Sequence, residues 1–184
     1  PTVSQDAFSF TSIVDAIEGR DKAITDTKGA CLNAKMADEV LMKIAGAEAD
    51  LFCEMDPSSE DFVTLEKGRK VLCAQLDKVL CGCVQSALLW HWSCSSTLME
   101  MGFELNPCDT CVANAVIESK QCTICWHVDD NKISHVNPKV VDEVITKIEG
   151  KFGKMSQTRG DVHDFLGMHA TFQDKKVKIR MKKH

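Results

Sequence analysis

The chain has no tyrosine, only four prolines and no uninterrupted apolar run of membrane-spanning length. The last absence argues against a transmembrane helix, which needs about 20 consecutive apolar residues. The opening PTVSQDAFSF has neither the basic nor the apolar region of a secretory signal, so the chain reads as intracellular and without a membrane partner. Because it begins on Pro1, it also reads as a processed piece or internal fragment. An excess of cations is missing too. With 22 Lys and Arg against 27 Asp and Glu, the net charge of −5 speaks against a generally basic nucleic-acid-binding surface. Repeats, low-complexity tracts and linkers are absent, which favours one continuous domain. At 184 residues, with 44% hydrophobic and 27% charged content, the chain can bury one proper core.

Cysteine is abundant, at ten residues. A chain that is neither small nor visibly secreted is expected to keep most of them as thiols. Cys108, Cys111, Cys122 and Cys125 have the spacing of a zinc site, an alternative that requires all four to converge. The second pair falls inside an alternating stretch, where positions i and i+3 point to opposite faces. Charge is unevenly spread: Lys175, Lys176, Lys178, Arg180, Lys182 and Lys183 follow one another without an acid, either as a local polyanion contact or as a solvated tail.

The stretch from Gln121 to His135, QCTICWHVDDNKISH, organises the rest. Cys122, Ile124, Trp126 and Val128 alternate with Thr123, Cys125 and His127, the period of a strand. Asp129 and Asp130 follow, and the extended pattern resumes around Ile133, which predicts a hairpin with acids in its turn. Asp-Asp-Asn is ordinary turn chemistry. Two like charges this close are costly unless hydrated or sharing cations, so a catalytic reading requires a third carboxylate from elsewhere.

The remaining pattern supplies a candidate. A helix over Ala7 to Glu18 presents Phe10, Ile13, Val14 and Ile17 on one face and stops at Gly19. The strand KAITDT, Lys22 to Thr27, ends near Asp26. Next come a strand at Val40 to Ile44, a helix over Ala47 to Met55 and a hairpin from Phe62 to Leu76 turning at Glu66 to Arg69. A helix over Ser86 to Met101 has Leu89, Trp92, Leu98 and Met101 as inward positions. After a strand at Cys111 to Ile117 and the central hairpin, Asn137 and Pro138 cap a helix carrying Val141, Val144, Ile145, Ile148 and Phe152 on one face. A hairpin around Gln173 to Lys175 closes the chain. This order predicts an α+β fold with helices on one face of an antiparallel sheet. In such a sheet the end of the first strand lies beside the central turn, and Asp26 can meet Asp129 and Asp130.

These segments resemble, in order, the reverse transcriptase of copia-type retrotransposons. TDTKGACLNAKM, Thr25 to Met36, is similar to the family's DVKTAFLNG. LCGCVQSALLW, Leu80 to Trp90, resembles LYGLKQSPRAW. LMEMGFELNPCDTCV resembles LLELGF followed by SDPCVF, HVDD stands where YVDD is expected, and Phe165-Leu166-Gly167 matches FLG. The resemblance implies a polymerase palm with partial fingers, lacking the upstream fingers and the thumb, and with weak activity alone. Template-directed phosphodiester formation would use two Mg2+ ions on Asp26, Asp129 and Asp130, because magnesium prefers hard oxygen ligands.

The resemblance assigns further roles. Thr27, Lys28, Gly29 and Ala30 line the triphosphate, Cys31 takes the position that excludes a ribose 2′-hydroxyl, and Gln85 contacts the incoming nucleotide or template. A cysteine is too small to exclude that hydroxyl by bulk. His127, Phe165, Leu166, Gly167 and Met168 border the primer, with Lys175, Lys176 and Lys178 near phosphate. The implied partners are an RNA template, a DNA primer, deoxynucleoside triphosphates and other parts of a retroelement polyprotein in a cytoplasmic particle. A non-catalytic remnant that binds nucleic acid or a partner subunit would keep the same fold.

Overall fold

A computed structural model of the chain describes residues 2–181. In chain order its elements are α1 (Gln5–Glu18), β1 (Asp21–Asp26), a 3-10 turn (Ala30–Asn33), β2 (Leu41–Ala45), α2 (Ala47–Met55), a second 3-10 segment (Pro57–Phe62), β3 (Val63–Glu66) and β4 (Arg69–Gln75). There follow α3 (Ser86–Glu100), β5 (Glu104–Asn106), β6 (Asp109–Ile117), β7 (Lys120–His127), β8 (Asp130–His135), α4 (Pro138–Phe152), β9 (Ser156–Arg159), β10 (Val162–Phe165), β11 (Met168–Gln173) and β12 (Lys176–Met181). No helix among the described residues is long and apolar enough to cross a membrane.

The main sheet has the strand order β5-β6-β7-β8-β1-β9, and its neighbours pair antiparallel. Placing β1 between β8 and β9 is what carries an early strand to the middle of the later hairpins. Two smaller sheets, β2-β4-β3 and β10-β11-β12, flank it. The α+β expectation holds.

The expectation that helices cover one face does not hold. On β7, Trp126 stacks against His91 of α3, while its neighbour Cys125 meets Thr11 of α1. Adjacent strand residues point to opposite faces, so α3 and α1 lie on opposite sides of the sheet. On the first side α4 behaves as its sequence indicates. Asn137 accepts a hydrogen bond from the Lys139 N–H, Pro138 occupies the first turn, and Val141, Val144, Ile145, Ile148 and Phe152 are buried. Each such side chain contributes about 1.5–3 kcal/mol of hydrophobic stabilisation.

On the other side α1 is turned the opposite way from its apolar pattern. Phe8, Ser12, Asp15 and Ala16 are buried, while Phe10, Ile13 and Ile17 are exposed. The reason lies in β8, whose Lys132 and Ser134 face this helix. The Lys132 ammonium lies 2.6 Å from Asp15 Oδ2 and also donates to Thr11 and Ser12, and Ser134 donates to Asp15 Oδ1 at 2.6 Å. Lys132 is 2% exposed and Asp15 is fully buried. A buried ammonium without partners costs several kcal/mol, and the polar face of α1 supplies the partners that Lys132 needs. Trp92 of α3 is likewise outside, 54% exposed, whereas Trp90 is buried.

The zinc alternative is overturned. Cys111, Cys122 and Cys125 are buried in the core, Cys108 is exposed, and Cys122 and Cys125 point to opposite sides of β7. Among the described residues no three His, Cys, Asp or Glu side chains form a ready-made metal cluster.

Candidate catalytic carboxylate site

β7 and β8 are joined by two residues, Val128 and Asp129, with His127 paired to Asp130. Val128 has φ 55, the left-handed region at the first central position of the turn, where glycine is the usual choice. For a β-branched residue this is a genuine outlier, and such strain persists only where the surroundings over-determine it. Two donors from elsewhere do so here. The indole N–H of Trp90 donates to the Val128 carbonyl, and the Thr27 backbone N–H donates to the Asp129 carbonyl at 2.9 Å. Asn131 Nδ2 reaches both the Asp129 carbonyl and Thr27 Oγ1 at 3.4 Å. Helix α3 and the exit of β1 thus hold the turn from two sides. Trp90 is itself fixed edge-on against Phe152 of α4, with ring centroids 4.9 Å apart.

The acids are divided differently from the sequence expectation. Asp129 alone lies in the turn and is exposed, while Asp130 is the first residue of β8. Asp26, the last residue of β1, is the direct cross-strand partner of Asp130, and both are half-buried. Register puts Asp26, Asp130 and His127 on the face of the sheet that carries α1. Burial, then the charges of Asp129 and Asp26, push the Asp130 carboxyl above the ordinary carboxylate range, and His127 opposes the shift. None of the three aspartates has an ion-pair partner among the described residues. Three neighbouring oxygen donors short of positive charge suit hard divalent cations in their chemistry, although they do not stand as a ready-made cluster.

Beyond Asp26 the chain makes a short loop that leads into the first 3-10 turn. Thr27 is buried, Lys28 and Gly29 are exposed, and Gly29 at φ 63 admits the 3-10 turn in which Ala30 and Cys31 are buried. Burial, contact with Cys81 and the Asp129 charge raise the Cys31 thiol to about 11. Gln85, at the start of α3, is bound to Asp38 at 2.7 Å instead of reaching free into the site.

Phe165 stacks on Phe8 with centroids 5.0 Å apart, and the Lys132 ammonium lies 5.2 Å from the Phe8 ring centre. Since Lys132 is two residues along β8 from Asp130, the Phe165–Met168 turn reaches the carboxylate face through this stack. Leu166 and Gly167 form that turn at φ 54 and φ 68, with Phe165 and Met168 buried at its ends. Lys175 and Lys176 lie elsewhere. They line a cavity of about 550 Å³ with Asp15, Asp21 and Lys22, at the opposite end of β1 from Asp26. Exposed Lys178 and Arg180 follow on β12 as it runs back toward Met168. Lys182 and Lys183 lie outside the described residues.

No motif in the sequence marks Trp90 as a support of the turn, or Lys132 and Asp15 as a buried pair between β8 and α1. The only local signal was two tryptophans at i and i+2 of one helix, which cannot both face the core.

No curated protein matches the chain. The family described as reverse transcriptase (RNA-dependent DNA polymerase) matches residues 10–184, a span that contains the three carboxylates, the loop after β1 and the Phe165 turn. By that match the chain belongs to the reverse transcriptase family.

Proposed function

We propose that the chain is a copia-type retroelement palm that performs RNA-directed DNA synthesis, with Asp26, Asp129 and Asp130 as its catalytic carboxylates. The observation that carries this reading is the cross-strand pairing of Asp26 with Asp130 beside a clamped turn bearing Asp129, with no ion-pair partner for any of the three among the described residues. Two magnesium ions held by these carboxylates would polarise a primer 3′-hydroxyl and neutralise charge on the phosphates. The protein's own groups do the positioning. The clamped turn keeps Asp129 beside the β1–β8 pair, and His127 flanks Asp130 on the primer side.

The Thr27–Cys31 loop, with Lys28 and Gly29 exposed, faces the triphosphate, and Cys31 stands at the sugar. Gln85 gives up its bond to Asp38 to reach the nucleotide or template. The Phe165–Met168 turn borders the primer end, and Lys178, Lys176 and Lys175 follow phosphates progressively farther from the reacting end. Deoxynucleotides, an RNA template and a DNA primer are the partners, within a cytoplasmic retroelement particle containing other polyprotein segments.

Primer extension on primed RNA with magnesium tests this. Extension by the chain should fall at least a hundredfold on Asp129→Asn and strongly on Asp130→Asn. Extension indifferent to both substitutions would remove the carboxylates from the chemistry. Salt-dependent binding of primer–template with no incorporation at all would favour a non-catalytic remnant.

A further inference from the structure

Ten thiols are distributed over the chain, and two of them meet beside the carboxylate site. Cys31 is buried in the 3-10 turn after β1, and Cys81 is exposed in the segment joining β4 to α3. These segments are tied antiparallel. Lys35 bridges Lys78, the Val79 N–H donates to the Ala34 carbonyl at 3.0 Å, and the Met36 N–H donates to the Asp77 carbonyl at 3.0 Å. Cys31 packs in one buried cluster with Val79, and Cys81 follows Val79 by two residues, so the Cys81 side chain comes close enough to act on the Cys31 thiol. The backbone below them is fixed further by packing of Ala34, Val79 and Leu89 around Cys31.

We propose that Cys31 and Cys81 are a disulfide-forming pair that exchanges with small disulfides of the glutathione type. Exposed Cys81 is the entry point: its thiolate attacks one sulfur of the small disulfide and expels one thiolate, leaving a mixed disulfide on Cys81. Cys31, shielded from solvent and poorly ionised, acts second. It gives its proton to the departing thiolate and attacks the Cys81 sulfur, releasing the second small thiol. Two protein thiols are oxidised, one small disulfide is reduced to two thiols, and a small thiol in excess reverses the exchange. Cys53, Cys94, Cys111, Cys122 and Cys125 are buried away from solvent, and the other exposed thiols, Cys73 and Cys108, belong to β4 and to the β5–β6 connection. Half-buried Cys83, two residues from Cys81, is the nearest competitor in sequence.

The bond would pin the 3-10 turn to the segment leading to Gln85, in a position where the Asp129 charge is felt at Cys31. On the reading given under Proposed function, oxidation therefore restrains the nucleotide side of the site, and incorporation falls until the bond is reduced.

The test treats the full chain with oxidised glutathione, alkylates the remaining thiols, and maps linkages without reduction after trypsin and chymotrypsin digestion. Expected is a Cys31–Cys81 linked peptide with loss of most alkylatable Cys31, reversed by dithiothreitol. The link should persist in Cys83→Ser and vanish in Cys81→Ser. A glutathione adduct persisting on Cys81, a Cys81–Cys83 link, or Cys31 still fully alkylatable would overturn the proposal. Linkage is read without any polymerase assay, so a failure of the catalytic reading leaves this result standing, and the reverse also holds.

Discussion

Replacing Trp90 by phenylalanine removes one of the two donors that hold the Val128–Asp129 turn. The Val128 carbonyl then loses its indole partner, and an unsatisfied buried acceptor costs about 1–3 kcal/mol. The smaller ring also leaves a void against Phe152, adding about 1 kcal/mol. The expected loss of stability is therefore about 2–4 kcal/mol, read as a shift of the urea midpoint followed by far-UV circular dichroism. Much of the carbonyl penalty should be specific to the strained turn. Glycine adopts φ 55 without steric cost, so Val128→Gly should make Trp90→Phe cheaper by about 1 kcal/mol. In primer extension, Trp90→Phe should lower kcat more than it raises KM for nucleotide, because the turn carries Asp129 and not the Thr27–Cys31 loop proposed to face the triphosphate. Additive effects in the double variant, or a single-variant loss below about 0.5 kcal/mol, would refute the clamp.

Two other perturbations follow from the charge arrangement. The Asp130 carboxyl is raised in the folded chain, so between the ordinary carboxylate range and that raised value the folded state holds a proton the unfolded state has lost. Stability should fall as pH rises through this window, and Asp130→Asn should flatten the fall and stabilise the chain near neutrality. Magnesium should raise the melting temperature of the unsubstituted chain more at pH 8 than at pH 5, and much less in Asp130→Asn; equal shifts in both proteins would contradict cation binding there. Beneath the site, Asp15→Asn leaves Lys132 buried without its countercharge and should cost about 3–5 kcal/mol in urea unfolding. Adding Lys132→Met should recover part of that loss, and a single-variant cost under about 1 kcal/mol would show the pair to be dispensable.

The sequence by itself determined the long, strongly patterned elements, while the short strands β5, β9 and β10 were not legible in it. Alternation fixed β7, Asn137 and Pro138 with their apolar stripe fixed α4, and Ala47–Met55 was legible as α2. These patterns are local, set by backbone periodicity and capping, and every neighbour agrees with them. The adjacency of Asp26 to Asp130 was expected from the pattern, but it depends on β1 entering the sheet between β8 and β9, which only the tertiary fold decides. Tertiary structure alone decided the facing of α1, the choice of Trp90 over Trp92 as the buried ring, and the far placement of Lys175 and Lys176. An amphipathic stripe tells which face is apolar, but here the buried Lys132 and Ser134 of a strand over a hundred residues later demanded the polar face of α1. The strained Val128 turn was equally invisible, because its cost is offset by an indole and a backbone amide that only folding brings to it.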